Sequence, residues 1–300
     1  MDIEEPAGIL SFSDALCGYS ALVGSKAAHL SLLYEHYRVP SGFVITANAF
    51  SLGAGEKFSS VASSRYQHGM PDILFENFIT AYRRLKSASR SESFSVAIRS
   101  SALEEDSHDA SFAGQYDTYL NVRDELLVSK AIIDCWISAD SYSSMSYRRE
   151  RGLSLINAGI AVIIQEMLAC DVSAVVFSAN PITGNKNQVV INSNWGLCES
   201  IVSGIVTPDM YVVKKDTETI VESVVAEKET MTTQMAVGVG CVEIPLSMRS
   251  RSSLEEEQIL EISNLAIELE AKMGWPVDIE CAYSQGDLYL LQCRPITVLV

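Results

Sequence analysis

Two apolar runs near the C-terminus, "VDIECAYS" and "DLYLLQCRP", carry four side chains able to do chemistry: Asp278, Glu280, Gln292 and Arg294. Side chains alternate faces along a strand, so Asp278 and Glu280 share one face of their strand, and Gln292 and Arg294 share one face of theirs. A two-residue Gln-Gly turn would put these pairs on opposite sides of the ribbon. A three-residue loop, Gln285-Gly286-Asp287, with Gly286 left-handed, pairs Ser284 with Leu288 instead. Glu280 then lies opposite Gln292, and Asp278 opposite Arg294. Cross-strand neighbours are roughly 5 Å apart at Cβ. An acid and an amide at that spacing suit one hard cation, and magnesium takes oxygen ligands that it usually shares with substrate phosphates. The alternative is an amphipathic hairpin with its polar face in water and an Asp278–Arg294 surface salt bridge.

Anion-binding groups lie upstream. "GYSALVGSKAAHL" puts Gly24 and Lys26 at a helix start. It is not a P-loop: five residues separate its glycines where four are needed, and Ala27 follows the lysine. What remains is a generic anion site at a helix N-terminus, or a solvated lysine. In "VAIRSSALEEDSHDASFAGQ", Arg99 ends an apolar strand, where a charge needs a partner. The loop after it holds Ser100, Ser101, Ser111, Ala113 and Gly114, small enough to close backbone N–H groups over phosphates. Glu104, Glu105, Asp106 and His108 of that loop are expected to face solvent. "AVIIQEML" could offer backbone groups to an adenine edge, or be a plain core strand. Glu199 in "NWGLCESIVSG" could support a metal or a ribose, or cap a helix.

These residues must be positioned by an α+β chain. Before residue 160, "GSKAAHLSLLYEHY" reads as a loop opening a helix and "VPSGFVIT" as a turn and strand. "DELLVSKAIIDCWISADSYSSMSYRRERG" has mostly helical spacing. From residue 159 on, β-branched runs separated by turn residues give an antiparallel pattern. "SLEEEQILEISNLAIELEAKMG" is a helix with a Ser253–Glu256 capping box and a Gly274 stop. Its face of Ile262, Leu265, Ala266 and Leu269 packs on a sheet. Two lobes are expected, 1–160 and 161–300.

Bulk properties narrow the partners. Net charge is −16, which argues against nucleic-acid backbones and anionic membranes. Seven scattered cysteines without a CxxC pair fit a reducing compartment rather than a disulfide framework or zinc site. The acidic start "MDIEEPAGIL" has no basic signal-peptide region, and the longest apolar run is broken by Gln165 and Glu166. A cytoplasmic, non-membrane protein is expected.

In order, "GSKAAHL", "VAIRSSALEEDSHDASFAGQYDTYLNV", "AVIIQEML", "VVFSANPITG", "NWGLCESIVSGIVTPDMYVV" and "DIECAYSQGDLYLLQCRPIT" resemble the ATP-binding domain of the phosphoenolpyruvate synthase and pyruvate phosphate dikinase family. The version in rifampin phosphotransferases looks closest. The resemblance runs from about residue 15 to Thr297. It implies an ATP-grasp fold with nucleotide between two lobes. Lys26, Arg99 and Arg294 would hold phosphates, and Glu280 and Gln292 would hold Mg²⁺. Ser111, Gly114, Gln115, Gln165 to Leu168, Glu199 and Asp278 would complete the ATP site. It further implies that a histidine on a swivelling domain takes the β-phosphate of ATP, releasing AMP and phosphate, and passes it to a small-molecule acceptor such as pyruvate or an antibiotic hydroxyl.

Two motifs depart from the pattern. Gly-Ser-Lys-Ala replaces the frequent Gly-Gly-Lys-Gly, and Cys198 stands where glycine is usual. None of His29, His36, His68 and His108 lies in a glycine-rich segment, so the phosphohistidine is expected on another domain, in cis or in trans. A free-standing ATP-grasp kinase or ligase, and a non-catalytic nucleotide-binding module, are the competing readings.

Overall fold

The computed structural model describes residues 8–49, 69–91, 93–103, 118–139 and 160–297. The chain is α+β and divides into two units. The first comprises residues up to His36 and Pro40–Met167, and the second comprises Tyr37–Val39 and the chain from Leu168. The division falls after Met167, past the expected 160, because the strand Ile160–Glu166 pairs on both sides with strands of the first unit.

The first unit contains β1 (Ile9–Ser11), α1 (Ser20–Tyr34), β2 (Gly42–Ile45), α2 (Asp72–Ala88), β3 (Val96–Ala102), β4 (Thr118–Val122), α3 (Glu125–Ala139) and β5 (Ile160–Glu166). Its sheet runs β1-β2-β5-β3-β4, with every neighbouring pair antiparallel. The central strand β5 is buried on both faces, so "IAVIIQE" reads as a continuous apolar run rather than an alternation. On one face Phe43, Ile45, Val96, Ile98, Val162 and Ile164 pack against Phe78 and Tyr82 of α2 and Ile132 and Trp136 of α3. The arginine strand does not end at Arg99: β3 continues to Ala102, which pairs with Ile160, and Ser100 and Ser101 are buried in the sheet rather than part of a loop.

The second unit contains β6 (Val172–Phe177), β7 (Gln188–Trp195), α4 (Glu199–Val202), β8 (Asp209–Lys214), β9 (Thr219–Val224), β10 (Thr230–Gln234), β11 (Val239–Glu243), α5 (Leu246–Arg249), α6 (Glu256–Met273), β12 (Val277–Ser284) and β13 (Asp287–Pro295). Six strands form an antiparallel sheet, β13-β12-β6-β7-β8-β9, and β10 and β11 form a separate ribbon. Ile259, Ile262, Ala266 and Leu269 of α6 are buried, while Leu265 is half-buried on the flank. Gly274 terminates α6 in the left-handed conformation, as expected.

The start of α6 differs from its sequence signature. The N-cap is Glu255, whose N–H donates to Gln258 Oε1 at 2.9 Å. Ser253 is not available for capping, because its N–H and hydroxyl both donate to Asp209 Oδ2, at 2.8 and 2.7 Å.

Candidate functional site

Tyr283 reaches Glu261 of α6 through its hydroxyl, at 2.5 Å, so Ile279, Cys281 and Tyr283 face α6. By alternation Asp278 and Glu280 occupy the opposite face of the sheet. Across the hairpin Glu280 pairs with Gln292 and Asp278 with Arg294. Arg294 Nε and Nη2 both lie 2.9 Å from Asp278 Oδ2. Asp278 and Gln292 are buried, and Glu280 and Arg294 are half-buried. The polar side of this ribbon is therefore not a plain solvent face.

The pairing matches the expectation, but the turn that produces it does not. The loop has two residues, Gln285 and Gly286, at φ 54° and 84°, and Ser284 pairs with Asp287. Both central residues at positive φ is the type I′ hairpin turn, whose twist matches the strands. Asp171 Oδ2 accepts the Gln285 N–H at 3.0 Å, and Ser284 donates to Ala169 O at 2.8 Å, which pins the short turn. A β-bulge then restores the register: the pairing shifts between Glu280 and Cys281, with Leu291 the extra residue. A glutamine at positive φ is strained. Gln285→Asn is thus expected to stabilise the protein by a few tenths of a kcal/mol to about 1 kcal/mol. A urea melt checks it, and an unchanged or lower midpoint counts against the strained turn.

The row through Glu280 continues over the sheet. Glu280 pairs with Val175 and Val175 with Asn192, so half-buried Asn192 lies on the same face, two strands away. Asn192 escaped the sequence reading, although the alternation of "QVVINSNW" would have put it beside Asn194. Asn194, also on this face, donates from Nδ2 to Ser200 Oγ of α4 at 3.3 Å. That contact brings α4, and exposed Glu199 at its start, to the face that carries Glu280.

In the first unit α1 is broken at Gly24, which has φ 73° and ψ 166°. The helix therefore starts before the glycine and restarts after it, rather than opening there. Only glycine fits: a Cβ would lie 2.3 Å from Ser101 Oγ and 2.4 Å from Ser101 O. Ala27 N–H donates to Ser101 Oγ at 3.3 Å, so the restarted turn bearing Lys26 is docked on the end of β3. Arg99 precedes Ser101 by two positions and shares its face. Lys26 and Arg99 are thus on one side of this sheet, away from α2 and α3, and both are half-buried.

Gln165 is buried on that same face, opposite Ala97, and donates to Pro40 O at 3.2 Å. Glu166 accepts from Ser89 Oγ at 2.6 Å and donates its N–H to Ser41 O at 2.8 Å. Met167 N–H donates to Ser95 O at 2.9 Å. Leu168 belongs to the second unit. Ser111, Gly114 and Gln115, with His68 and His108, lie outside the described residues.

Other chemistries find little support among the described residues. No group of three or more His, Cys, Asp or Glu converges as a metal centre. Cys281, next to Glu280, is fully buried, and burial pushes its thiol well above the ordinary range, which disfavours a thiolate nucleophile. No helix among the described residues is long and apolar enough to cross a membrane. One buried charge pair had no sequence signal: Lys228 Nζ lies 2.6 Å from Asp209 Oδ1 with both side chains fully buried.

Comparison with known proteins gives consistent matches. The model of the pyruvate phosphate dikinase AMP/ATP-binding domain matches residues 54–300. A probable phosphoenolpyruvate synthase of Methanocaldococcus jannaschii is 34% identical over 304 residues, covering 93% of this chain and 26% of that protein. The phosphoenolpyruvate synthase of Pyrococcus furiosus is 39% identical over 239 residues, covering 77% of this chain and 29% of that protein. The rifampicin phosphotransferase of Streptomyces sviceus is 32% identical over 300 residues, covering 93% of this chain and 34% of that protein. The chain thus spans about a third or less of these relatives.

Proposed function

The chain belongs to the family of pyruvate phosphate dikinase AMP/ATP-binding domains, and from that premise we propose that it is the MgATP-binding part of a dikinase-type phosphotransferase. The two units correspond to the lobes of an ATP-grasp fold, and each carries groups suited to a nucleotide. ATP, a histidine on a separate domain and water become AMP, phosphate and phosphohistidine. The phosphohistidine then serves a small-molecule acceptor, such as pyruvate or an antibiotic hydroxyl.

The observation that carries this reading is the register of the β12–β13 hairpin, which puts the Glu280 carboxylate across from the Gln292 amide. Two oxygen donors from the protein fit Mg²⁺, which keeps the rest of its shell for water and phosphate oxygens. Once bound, the ion neutralises phosphate charge. Arg294, oriented by Asp278 in the second unit, and Lys26 and Arg99 in the first supply cationic charge of the kind that phosphates need. Phosphoryl transfer needs chiefly such positioning and neutralisation, so this domain need not supply a covalent group.

The test is the nucleotide product. The chain, supplied in trans with a histidine-bearing domain from a family member, is incubated with MgATP and followed by phosphorus NMR. AMP, phosphate and an acid-labile, base-stable phosphoprotein are expected. ADP as product would favour a free-standing kinase or ligase. Tight ATP binding without turnover would favour a non-catalytic module.

A further inference from the structure

We propose that Gln234 is a positioning residue for the purine edge, holding the Leu168 backbone, through its carbonyl, in the orientation that a base would meet. This rests on the reading above, in which residues 165–168 face adenine. The N–H groups of Glu166 and Met167 are spent on Ser41 O and Ser95 O, which makes the Leu168 backbone the next group in the segment. Its carbonyl accepts from Gln234 Nε2 at 3.2 Å and from Cys170 Sγ at 3.5 Å. A side-chain amide separated by 66 residues thus fixes the Leu168 carbonyl and the Leu168–Ala169 peptide plane, and so holds the Leu168 backbone immediately after its own N–H.

Gln234 can do this because β10 is itself fastened at every second residue. Asn194 Nδ2 donates to Thr230 O at 3.2 Å, and Leu197 N–H donates to Thr232 O at 2.8 Å. Gly196, at φ 76°, lets the strand pass: a Cβ there would lie 2.3 Å from Thr232 O. Gln234 is the next residue in that spacing, and its own cross-strand partner is Val239. The segment Asn194-Trp195-Gly196-Leu197 therefore seats β10, and β10 aims Gln234 at Leu168. This gives a physical role to a motif that the phosphate and metal chemistry leaves unexplained.

The test uses Gln234→Met, which keeps the length and loses the donor. Calorimetry is run with MgATP, with magnesium inosine triphosphate and with magnesium tripolyphosphate, which has no base. One lost hydrogen bond predicts about a five- to ten-fold weaker MgATP affinity. Tripolyphosphate affinity should stay at the wild-type value, and the preference for ATP over inosine triphosphate should narrow. Unchanged MgATP affinity overturns the proposal, as does an equal loss for ATP and tripolyphosphate, the mark of a merely structural defect. A wild-type protein that fails to bind MgATP would sink the nucleotide reading and this proposal together. A defect-free Gln234→Met with a competent wild type sinks this proposal alone.

Discussion

Glu280→Ala is expected to remove the magnesium-dependent part of ATP affinity, on the order of 100-fold or more, while leaving the melting temperature close to that of the wild type. Glu280 is half-buried on the hairpin face away from α6, so it does not belong to the packed layer beneath. Its loss should create no large cavity. It removes a carboxylate of the proposed pair, and the Gln292 amide alone is a weak neutral donor. The measurement is ATP affinity in magnesium and in EDTA for both proteins. The wild type should show a wide gap between the two conditions, and the variant almost none. A variant that melts early yet keeps the gap would assign Glu280 to fold maintenance and end the magnesium reading.

The hairpin shows what the sequence could and could not reveal. Strand alternation was readable from residue types, and so was the likelihood that four polar groups would meet. The route to that meeting was not. The expected three-residue loop is a two-residue turn, and the missing residue of offset comes from a bulge at Leu291. Leu290-Leu291 carries no mark of a bulge, since both residues are apolar and either register buries one of them. The turn was chosen by Asp171 and Ala169, which accept from Gln285 and Ser284 but lie more than a hundred positions away.

The same limit explains the cap of α6. The spacing of Ser253 and Glu256 satisfied a local rule, but a distant carboxylate, Asp209, took the serine. Gly24 was expected at a helix start, whereas it breaks α1 within its course. The reason, the backbone of Ser101 pressed against it, was not legible. Local signals survived where no remote group competed, as at Gly274, and failed where one did.

Lys228→Met is expected to have the opposite profile to Glu280→Ala, losing the fold before the ligand. Asp209 gathers five donors: Lys228 Nζ at 2.6 Å and Ala226 N–H at 2.9 Å on Oδ1, and Ser253 N–H, Ser253 Oγ and Tyr211 hydroxyl at 2.8, 2.7 and 3.3 Å on Oδ2. The ammonium also donates to Ala226 O at 2.9 Å. Removing it strands a carboxylate in the interior of the second unit, at a cost of about 3–5 kcal/mol. That is a large share of a typical domain stability of about 5–15 kcal/mol. Urea denaturation should show the loss directly. The double variant Asp209→Asn with Lys228→Met removes both charges, so at least half of the stability should return, because the penalty lies in the uncompensated charge rather than in the lost contact. A single variant costing less than about 1 kcal/mol would show that water reaches Asp209. At a temperature where Lys228→Met is still folded, its MgATP affinity should match the wild type, since Asp209 shares the α6 face with Ser193 and Ser253, whereas Glu280 lies on the other.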